Sequence, residues 1–347
     1  MRALTIDAHG DLDQVRFRTD APSPEVAAPD EVRVRVCAAA LNHLDLWVVK
    51  GVPGVRIRPG WILGSDCSGV VDAVGAEVTS VRAGDRVIVN PGVSDRTCDY
   101  CRTGDNPLCL NYAILGEHRP GTLAEYLVVP AANVLPLPES VSFATAAAFP
   151  LATLTAWRMV VTRANVCATD QVLIHGIGGG VALASLQISK VLGARVWVTS
   201  GSDAKLDRAR VLGADEVLNH RSQDVAKEIR GRTGKRGVDV VIDCVGEATW
   251  ASSLGSLGKR GRLVTCGGTS GPMVQTDIRR LFWNQWTIMG STMGSDSEFA
   301  AVVKELAAGR LLPPIDSEFP LERGADAFAR LKSGEQFGKV VVTVPDA

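Results

Sequence analysis

Alternation of apolar and charged residues predicts β structure in the first part of the chain. Val32, Val34 and Val36 are separated by single arginines, which is the period-two pattern of a strand with one buried face. Similar short runs predict strands at Arg2–Ile6, Val15–Arg18, Ser68–Val74 and Asp85–Val89. Because glycine and proline residues break the intervening segments into turns, the pattern favours an antiparallel, barrel-like domain.

The middle of the chain alternates apolar strands with helical patterns. Strands are predicted at Gln171–His175, Ala194–Thr199, Glu216–Leu218, Val238–Cys244 and Gly261–Cys266. Helices are predicted between them at Val181–Leu192, Asp203–Leu212, Gln223–Arg232 and Thr249–Leu257. Ser202 is positioned to cap the second of these helices. Such alternation predicts an α/β domain with a doubly wound parallel sheet.

The last part of the chain predicts a return to the first domain. A strand near Trp286–Gly290 is followed by predicted helices at Glu298–Ala308 and Ala325–Lys332, and then by a strand at Val340–Val344. We therefore expect residues 1–150, completed by 292–347, to form a mainly β domain. Residues 151–291 are expected to form a dinucleotide-binding domain of the Rossmann type.

Composition narrows the class of protein. The 347 residues carry a net charge of −1 and are 46% hydrophobic, which suits two globular domains. No basic stripe is present, so nucleic acid is not an expected partner. The N-terminus lacks the apolar core of a signal peptide, and the apolar stretch Ala144–Val161 is interrupted by Pro150 and Arg158. We expect a soluble cytoplasmic protein that binds no membrane.

A glycine cluster lies between the first strand and first helix of the α/β half. Glycines there permit a tight turn and let backbone N–H groups approach a pyrophosphate at a helix N-terminus. An isolated glycine cluster would be a weak signal, but this position in the alternating pattern indicates dinucleotide binding. The expected contacts are Gly178, Gly179, Gly180 and Val181.

The end of the second strand indicates which dinucleotide is bound. A site for NAD usually has an acidic residue there, whereas this strand ends in Ser200, Gly201 and Ser202. Lys205 and Arg221 follow nearby, and hydroxyls with cations suit a 2′-phosphate. We expect NADP, with NAD as the other possibility; the alternative for both cations is a solvated surface role.

Several segments resemble the medium-chain dehydrogenase/reductase superfamily, within the zinc-containing alcohol dehydrogenase family, and most closely its quinone oxidoreductase-like branch. The matching segments are Ala40–Asp45, Gly64–Val71, Ala83–Val87, the glycine turn with Gln187, Val238–Asp243 and Gly338–Val341. One departure is Ile177, which stands where glycine or alanine is usual. The resemblance implies a GroES-like, partly open barrel as the catalytic domain beside the Rossmann domain.

The resemblance also implies which residues would hold a catalytic zinc, and they are replaced here. Asn42, Ser65 and Leu151 stand at the three ligand positions, and Asp66 stands at the position of a neighbouring glutamate. Asparagine, serine and leucine do not form a useful zinc site. We therefore expect no catalytic zinc. Quinones and α,β-unsaturated carbonyls are the expected acceptors, because they demand less polarisation of oxygen than an alcohol dehydrogenase provides.

The family's second zinc site is a loop with four cysteine ligands. Cys98, Cys101 and Cys109 match the last three positions, and Asp95 stands at the first. One carboxylate and three thiolates can complete a tetrahedral site, so a structural zinc is expected. The alternative is a decayed loop with three free thiols.

Other expected roles come from the resemblance. Candidate catalytic residues are Asn42, Asp45, Ser65 and Asp66, although Asn42 and Asp45 could equally stabilise a turn. His43 is a possible proton donor, or simply a packing residue. Thr155, Gly267 and Lys339 complete the expected cofactor site, with a surface role as the alternative for Lys339. Two other functions stay open: an alcohol dehydrogenase with an altered catalytic site, and a non-catalytic NADPH-binding scaffold.

The apolar segment Leu281–Gly290 lies in a region that pairs across a dimer interface in the family. A buried core strand is the alternative. We expect a homodimer.

Overall fold

Two units divide the chain in the computed structural model, which describes residues 1–344. The first contains Met1–Leu154 and Gly294–Ala347, and the second contains Thr155–Met293. The chain first passes from one unit to the other within the helix Pro150–Trp157. This helix continues as a π-helical segment at Arg158–Arg163.

The first unit is mainly β. Its strands are β1 Ala3–Ile6, β2 Arg16–Arg18, β3 Glu31–Ala40, β4 Trp61–Ile62, β5 Asp66–Val74, β6 Arg86–Val89, β7 Gly92–Val93, β8 Ala113–Ile114, β9 Tyr126–Pro130 and β10 Val134–Pro136, with β17 Ile315–Pro320 and β18 Lys339–Thr343 from the end of the chain. Its helices are α1 His43–Lys50, α2 Asp99–Arg102, α3 Phe143–Ala147, α10 Asp296–Ala307 and α11 Gly324–Lys332; α4 is the helix Pro150–Trp157.

Strand β3 is the centre of the larger sheet in this unit. The sheet has the order β10-β6-β5-β3-β18-β17, with β9 also paired to β3. Val32, Val34 and Val36 are buried while the residues between them are partly exposed, which confirms the predicted alternation. Because β18 pairs antiparallel with β3, the C-terminal segment belongs to this unit. The sheet is mixed and not purely antiparallel, since β17 and β18 run parallel.

The second unit is a parallel α/β domain. Its strands are β11 Gln171–Ile174, β12 Arg195–Ser200, β13 Glu216–Asn219, β14 Val238–Asp243, β15 Leu257–Thr265 and β16 Thr287–Gly290. Its helices are α5 Gly180–Val191, α6 Asp203–Val211, α7 Val225–Arg232, α8 Glu247–Ser256 and α9 Ile278–Asn284. The sheet order β13-β12-β11-β14-β15-β16, with all pairs parallel, is that of a doubly wound dinucleotide-binding fold.

Local details of this unit agree with the sequence patterns in most places. Ser202 caps α6 as predicted, because its Oγ accepts a hydrogen bond from the Lys205 amide. One boundary is wrong: Leu257 was expected to end a helix, but it begins β15 and lies in the core. Its apolar side chain suits either element, so periodicity alone did not separate them.

Candidate active site and metal centre

The glycine turn joins β11 to α5 at the point where the strand order of the sheet reverses. Gly176 and Gly178 have φ angles of +71° and +122°, which side chains rarely tolerate. The first amide to bond within the helix is that of Leu183, which donates to the Gly179 carbonyl. The three amides before it, those of residues 180–182, therefore lack intrahelical acceptors and suit an anion.

Space is open beside this turn. A Cβ atom on Gly179 would meet only the Gly176 carbonyl oxygen, at 3.9 Å. Ile177, the departure from the family pattern, points its side chain into the interior. His175 lies just before the turn, with Nδ1 3.1 Å from Thr199 Oγ1 and a buried Nε2 that has no partner among residues 1–344. Burial lowers the pKa of His175 to about 4. The turn therefore fits the pyrophosphate of a nicotinamide dinucleotide.

An arginine and a histidine lie beside the end of β12. A Cβ atom on Gly201 would be 2.7 Å from Arg221 Nε and 3.1 Å from His220 Nε2. Within the described chain no carboxylate forms an ion pair with Arg221. Burial, and then the charge of Arg221, lower the pKa of His220. His220 was not singled out from the sequence, although its place directly before Arg221 after the third strand was a usable signal.

The remaining expected cofactor residues of this unit have the following placements. Ser200 Oγ accepts from the Ser202 amide at 3.2 Å, so its own O–H is still available as a donor. Lys205 lies in the first turn of α6. Thr155 is buried with Oγ1 4.0 Å from Met293 Sδ, and the Gly267 carbonyl accepts from Thr265 Oγ1.

The first unit brings Asn42, Asp66 and Lys339 into one buried polar cluster. Asn42 Nδ2 donates to Asp66 Oδ2 at 2.9 Å. Lys339 Nζ donates to Asn42 Oδ1 and, at 3.0 Å, to Asp66 Oδ2. The other carboxylate oxygen of Asp66 accepts from the Leu151 amide at 2.8 Å. Lys339, expected at the cofactor phosphates, has its ammonium group in this cluster.

Asp45 lies next to the cluster and stabilises the start of α1. Its Oδ2 accepts from the Asn42 amide at 2.7 Å in a capping box. Burial raises the pKa of Asp45 to about 7, and the positive charge of Lys339 partly opposes that rise. The pKa of His43 is lowered, first by burial and then by Lys339, so His43 is neutral at pH 7. The turn-stabilising role considered for Asn42 and Asp45 is thus present.

Ser65 is buried, and its hydroxyl is hydrogen-bonded to the backbone. Its Oγ donates to the Leu115 carbonyl at 2.8 Å. Leu151 offers no ligand atom, and an ammonium group faces Asn42. The residues at the positions that the family resemblance equates with a catalytic zinc site therefore do not fit that metal.

A second cluster gathers one carboxylate and three thiols. The ligand atoms of Asp95, Cys98, Cys101 and Cys109 all lie within 4.8 Å of one another. Cys101 Sγ is 3.6 Å from Cys98 Sγ and 3.5 Å from Asp95 Oδ1. A tetrahedral zinc with bonds of about 2.3 Å to sulfur and about 2.1 Å to oxygen separates its ligands by roughly 3.6–3.8 Å. The donor set and its spacing therefore fit structural zinc.

Backbone amides favour the negative charge that such a site requires. The Asp95 and Asn111 amides donate to Cys109 Sγ at 3.3 Å and 3.4 Å. Hydrogen bonds from the Thr97 and Cys98 amides hold the pKa of Asp95 below its ordinary value. Backbone hydrogen bonds likewise lower the pKa of the Cys98 thiol. Asp95 and Cys98 are thus favoured as anionic ligands, whereas burial raises the pKa of the Cys101 thiol to about 11, so binding of a metal there must displace its proton.

The glycine turn on a doubly wound sheet, together with the GroES-like partner unit, defines the class of protein as a pyridine-nucleotide-dependent oxidoreductase. Two family models match the chain, described as "alcohol dehydrogenase GroES-like domain" over residues 28–139 and "zinc-binding dehydrogenase" over residues 180–308. The chain belongs to the medium-chain dehydrogenase/reductase superfamily. The predicted family, fold class and enzyme class are confirmed.

Quinone oxidoreductases and alcohol dehydrogenases are both among the matching proteins. The quinone oxidoreductase of Homo sapiens is 28% identical over 99% of this chain and 97% of its own. An NAD-dependent alcohol dehydrogenase of Sulfolobus acidocaldarius is 30% identical over 94% of this chain and 95% of its own. The crystal structure of an NAD-dependent alcohol dehydrogenase matches with a TM-score of 0.94 and 44% identity, over 99% of this chain and 100% of that one. Among residues 1–344, no helix has the length and apolar character needed to cross a membrane.

Proposed function

We propose that this enzyme uses NADPH to reduce quinones or α,β-unsaturated carbonyls, and that no metal takes part in the hydride step. The observation that carries the proposal is the cluster of Asn42, Asp66 and Lys339, in which an amide stands at one of the expected metal-ligand positions and an ammonium group donates a hydrogen bond to it. The quinone oxidoreductase name of the human relative supports the same acceptor class.

The proposed reaction needs little from the protein beyond orientation and stabilisation of charge. Reduced nicotinamide, when bound, would give up the hydride of its C–H bond to the β-carbon of an enone and become oxidised. The electron shift along the conjugated system would leave negative charge on the carbonyl oxygen, and solvent would supply a proton to the α-carbon. The chain must therefore offer a hydrogen-bond donor to an oxygen that becomes negative.

An acceptor panel tests this proposal. NADPH oxidation with a quinone, an enone and a saturated aldehyde is compared with alcohol oxidation by NADP⁺. We expect kcat/KM for the quinone or the enone to exceed the other values by roughly tenfold or more, which corresponds to about 1.4 kcal/mol. Fastest turnover of an alcohol would instead support the alcohol dehydrogenase that several relatives' names suggest. Tight NADPH binding without any turnover would support a scaffold.

The preference for NADP rests on one cation and two other hydrogen-bonding groups beside β12. Arg221 and His220 lie close to Gly201, and the hydroxyl of Ser200 is available as a donor. A 2′-phosphate would accept hydrogen bonds from these groups, whereas a bare ribose would leave Arg221 uncompensated. The 44% identical neighbour is named an NAD-dependent alcohol dehydrogenase, so NAD is the competing cofactor.

Arg221→Ser tests the preference. Loss of one charge-assisted hydrogen bond costs about 1.5–3 kcal/mol, so we expect the Kd of NADPH to rise by roughly 10- to 100-fold. The Kd of NADH should change little. The matched control is Arg210→Ser on the exposed face of α6, where Arg210 pairs with Asp207. Equal weakening of both cofactors by Arg221→Ser, or an unchanged Kd for NADPH, would contradict an NADP site.

Two further proposals concern the metal content of the Asp95 loop and the cellular compartment of the enzyme. We propose that Asp95, Cys98, Cys101 and Cys109 hold one structural zinc, and that the enzyme works in the cytoplasm. The eight cysteines are all free of disulfides, which suits a reducing compartment. Recovery of the native protein with the membrane or secreted fraction of its cells would contradict this location.

A homodimer is proposed from the surface of the second unit. Ile278, Phe282 and Trp283 of α9 are exposed, the last by 77%, and β16 is an edge strand of the sheet. Exposed aromatic groups beside an open strand edge are typical of an interface. Trp283→Glu is therefore expected to give monomers in sedimentation experiments. Val211→Glu, at an isolated exposed residue of α6, is the control; a dimer that persists in Trp283→Glu contradicts this interface.

A further inference from the structure

Lys339 carries a buried positive charge, and the proposed hydride step assigns no role to it. It begins β18, and its side chain is only 5% exposed. Burying an ammonium group is unfavourable unless it is paired and hydrogen-bonded. Lys339 meets this requirement through Asp66 Oδ2 and Asn42 Oδ1. These hydrogen bonds hold the Asn42 and Asp66 side chains in place as well as the ammonium group.

The ammonium determines the orientation of the Asn42 amide. A lysine only donates hydrogen bonds and an ionised carboxylate only accepts them. The amide oxygen of Asn42 must therefore face Lys339, and its nitrogen must face Asp66, as the distances show. The opposite orientation would place two donors together and two acceptors together. One Nδ2 hydrogen is bound to Asp66, and residues 1–344 contain no recorded acceptor for the second.

The neighbouring candidates have no comparable donor available. The Ser65 hydroxyl donates to the Leu115 carbonyl, and Asp66 accepts hydrogen bonds on both oxygens. Asp45 is 1% exposed, whereas Asn42 is 7% exposed, which makes Asn42 the most accessible of the four candidate catalytic residues. The Lys339 ammonium keeps a third N–H, but Lys339 is 4% exposed, so the unspent Nδ2 hydrogen of Asn42 is the more accessible donor for a substrate oxygen.

We propose that Lys339 is a positioning residue that orients the Asn42 amide, so that its free N–H is presented to the oxygen of the acceptor. The ammonium also draws electron density from the amide through Oδ1, which strengthens the N–H as a donor when that oxygen becomes negative. This inference rests on the proposed metal-free reduction. It assigns Lys339 to the hydride step and not to the cofactor phosphates.

Lys339→Met separates these two roles kinetically. Removing an oriented donor to a developing oxyanion typically lowers kcat by about 10²–10³-fold, so we expect a loss of roughly 30- to 100-fold through the misoriented Asn42. The Kd of NADPH should stay within roughly twofold, because the Lys339 ammonium is engaged by Asn42 and Asp66. Lys332→Met, at an exposed lysine of α11, is the matched control and should match wild type in both quantities. A large rise in the Kd of NADPH with unchanged kcat would overturn the proposal.

A double-mutant cycle tests whether Lys339 acts through Asn42. We expect Asn42→Ala to lower kcat as much as the combined Asn42→Ala and Lys339→Met change, because the lysine has no effect without the amide. Multiplied losses would show an independent role and contradict the inference. Lys339→Arg, which keeps a cation able to donate to both partners, should restore part of the lost kcat.

Two further measurements distinguish a loss of activity from a loss of stability in the Lys339 variants. Lys339→Met leaves the Asp66 carboxylate buried without its cation, so the variant with both Asp66→Asn and Lys339→Met is the alternative if the single variant does not fold. It should show the same loss of kcat, with a thermal unfolding midpoint close to that of wild type. Wild-type protein without acceptor turnover would overturn the proposed function. Wild-type turnover with unchanged kcat in both Lys339 variants would overturn only the role of Lys339.

Discussion

Replacement of Gly179 by valine is expected to abolish nucleotide binding and leave the protein folded. Gly179 has a φ of −79°, so a side chain causes no backbone strain there. Its Cβ would enter the open space above the turn, with only the Gly176 carbonyl oxygen nearby at 3.9 Å. That space is where a pyrophosphate must approach the free amides of α5. The side chain therefore interferes with the ligand and not with the fold.

The expected loss of affinity is large. A pyrophosphate held away from the helix N-terminus loses several charge-assisted hydrogen bonds, so we expect the Kd of NADPH to rise by about 100-fold or more, a cost of at least about 2.7 kcal/mol. Titration calorimetry measures this Kd. Gly231→Val is the matched control, because a Cβ at Gly231 in α7 has no neighbours within 4 Å and lies far along the chain from the turn. Wild-type affinity in a folded Gly179→Val protein would contradict the cofactor site.

Replacement of Cys101 by serine is expected to release zinc and destabilise the first unit. Cys101 Sγ lies near both Cys98 Sγ and Asp95 Oδ1, so its loss removes a central ligand. A metal bound only by the folded state, with free metal about 1,000-fold above its Kd, contributes about 4 kcal/mol to stability. We expect the bound zinc to fall from one per chain to near zero, and the unfolding midpoint to fall with it.

Two variants make the zinc measurement specific. Cys167→Ser changes an exposed cysteine outside the cluster, so it should retain both the zinc and the unfolding midpoint. Asp95→Cys should retain zinc, because four thiolates also complete a tetrahedral site. Elemental analysis and calorimetry give the two quantities. Carefully purified wild-type protein with far less than one zinc per chain would support the decayed loop with free thiols instead.

Much of the fold could be predicted because its signals are local. The alternation of Val32, Val34 and Val36 is a property of five consecutive residues, and it defines one buried face of β3. The glycine turn was equally local, since strand, glycines and helix follow one another directly. Periodicity was less informative where most residues are apolar. The segment Leu281–Gly290 was visible only as one largely apolar run, but it contains the end of α9 and all of β16.

The candidate site could be predicted only in part, because its key contact is not local. Asn42 and Lys339 are separated by 297 positions and meet because β18 pairs with β3. Periodicity indicated that β18 is a strand but did not specify its partner or register. The resemblance indicated Asn42 and Lys339 separately, as a candidate catalytic residue and a candidate cofactor residue, whereas the ammonium beside the amide became visible only with the sheet in place.

The most direct test of a metal-free hydride step is the number of zinc ions in protein that is turning over NADPH with its best quinone or enone acceptor. We expect one zinc per chain, held by the Asp95 loop, and a kcat that does not change when zinc is added. A second zinc per chain, with a kcat that rises in proportion to its binding, would show instead that a metal takes part in the hydride step.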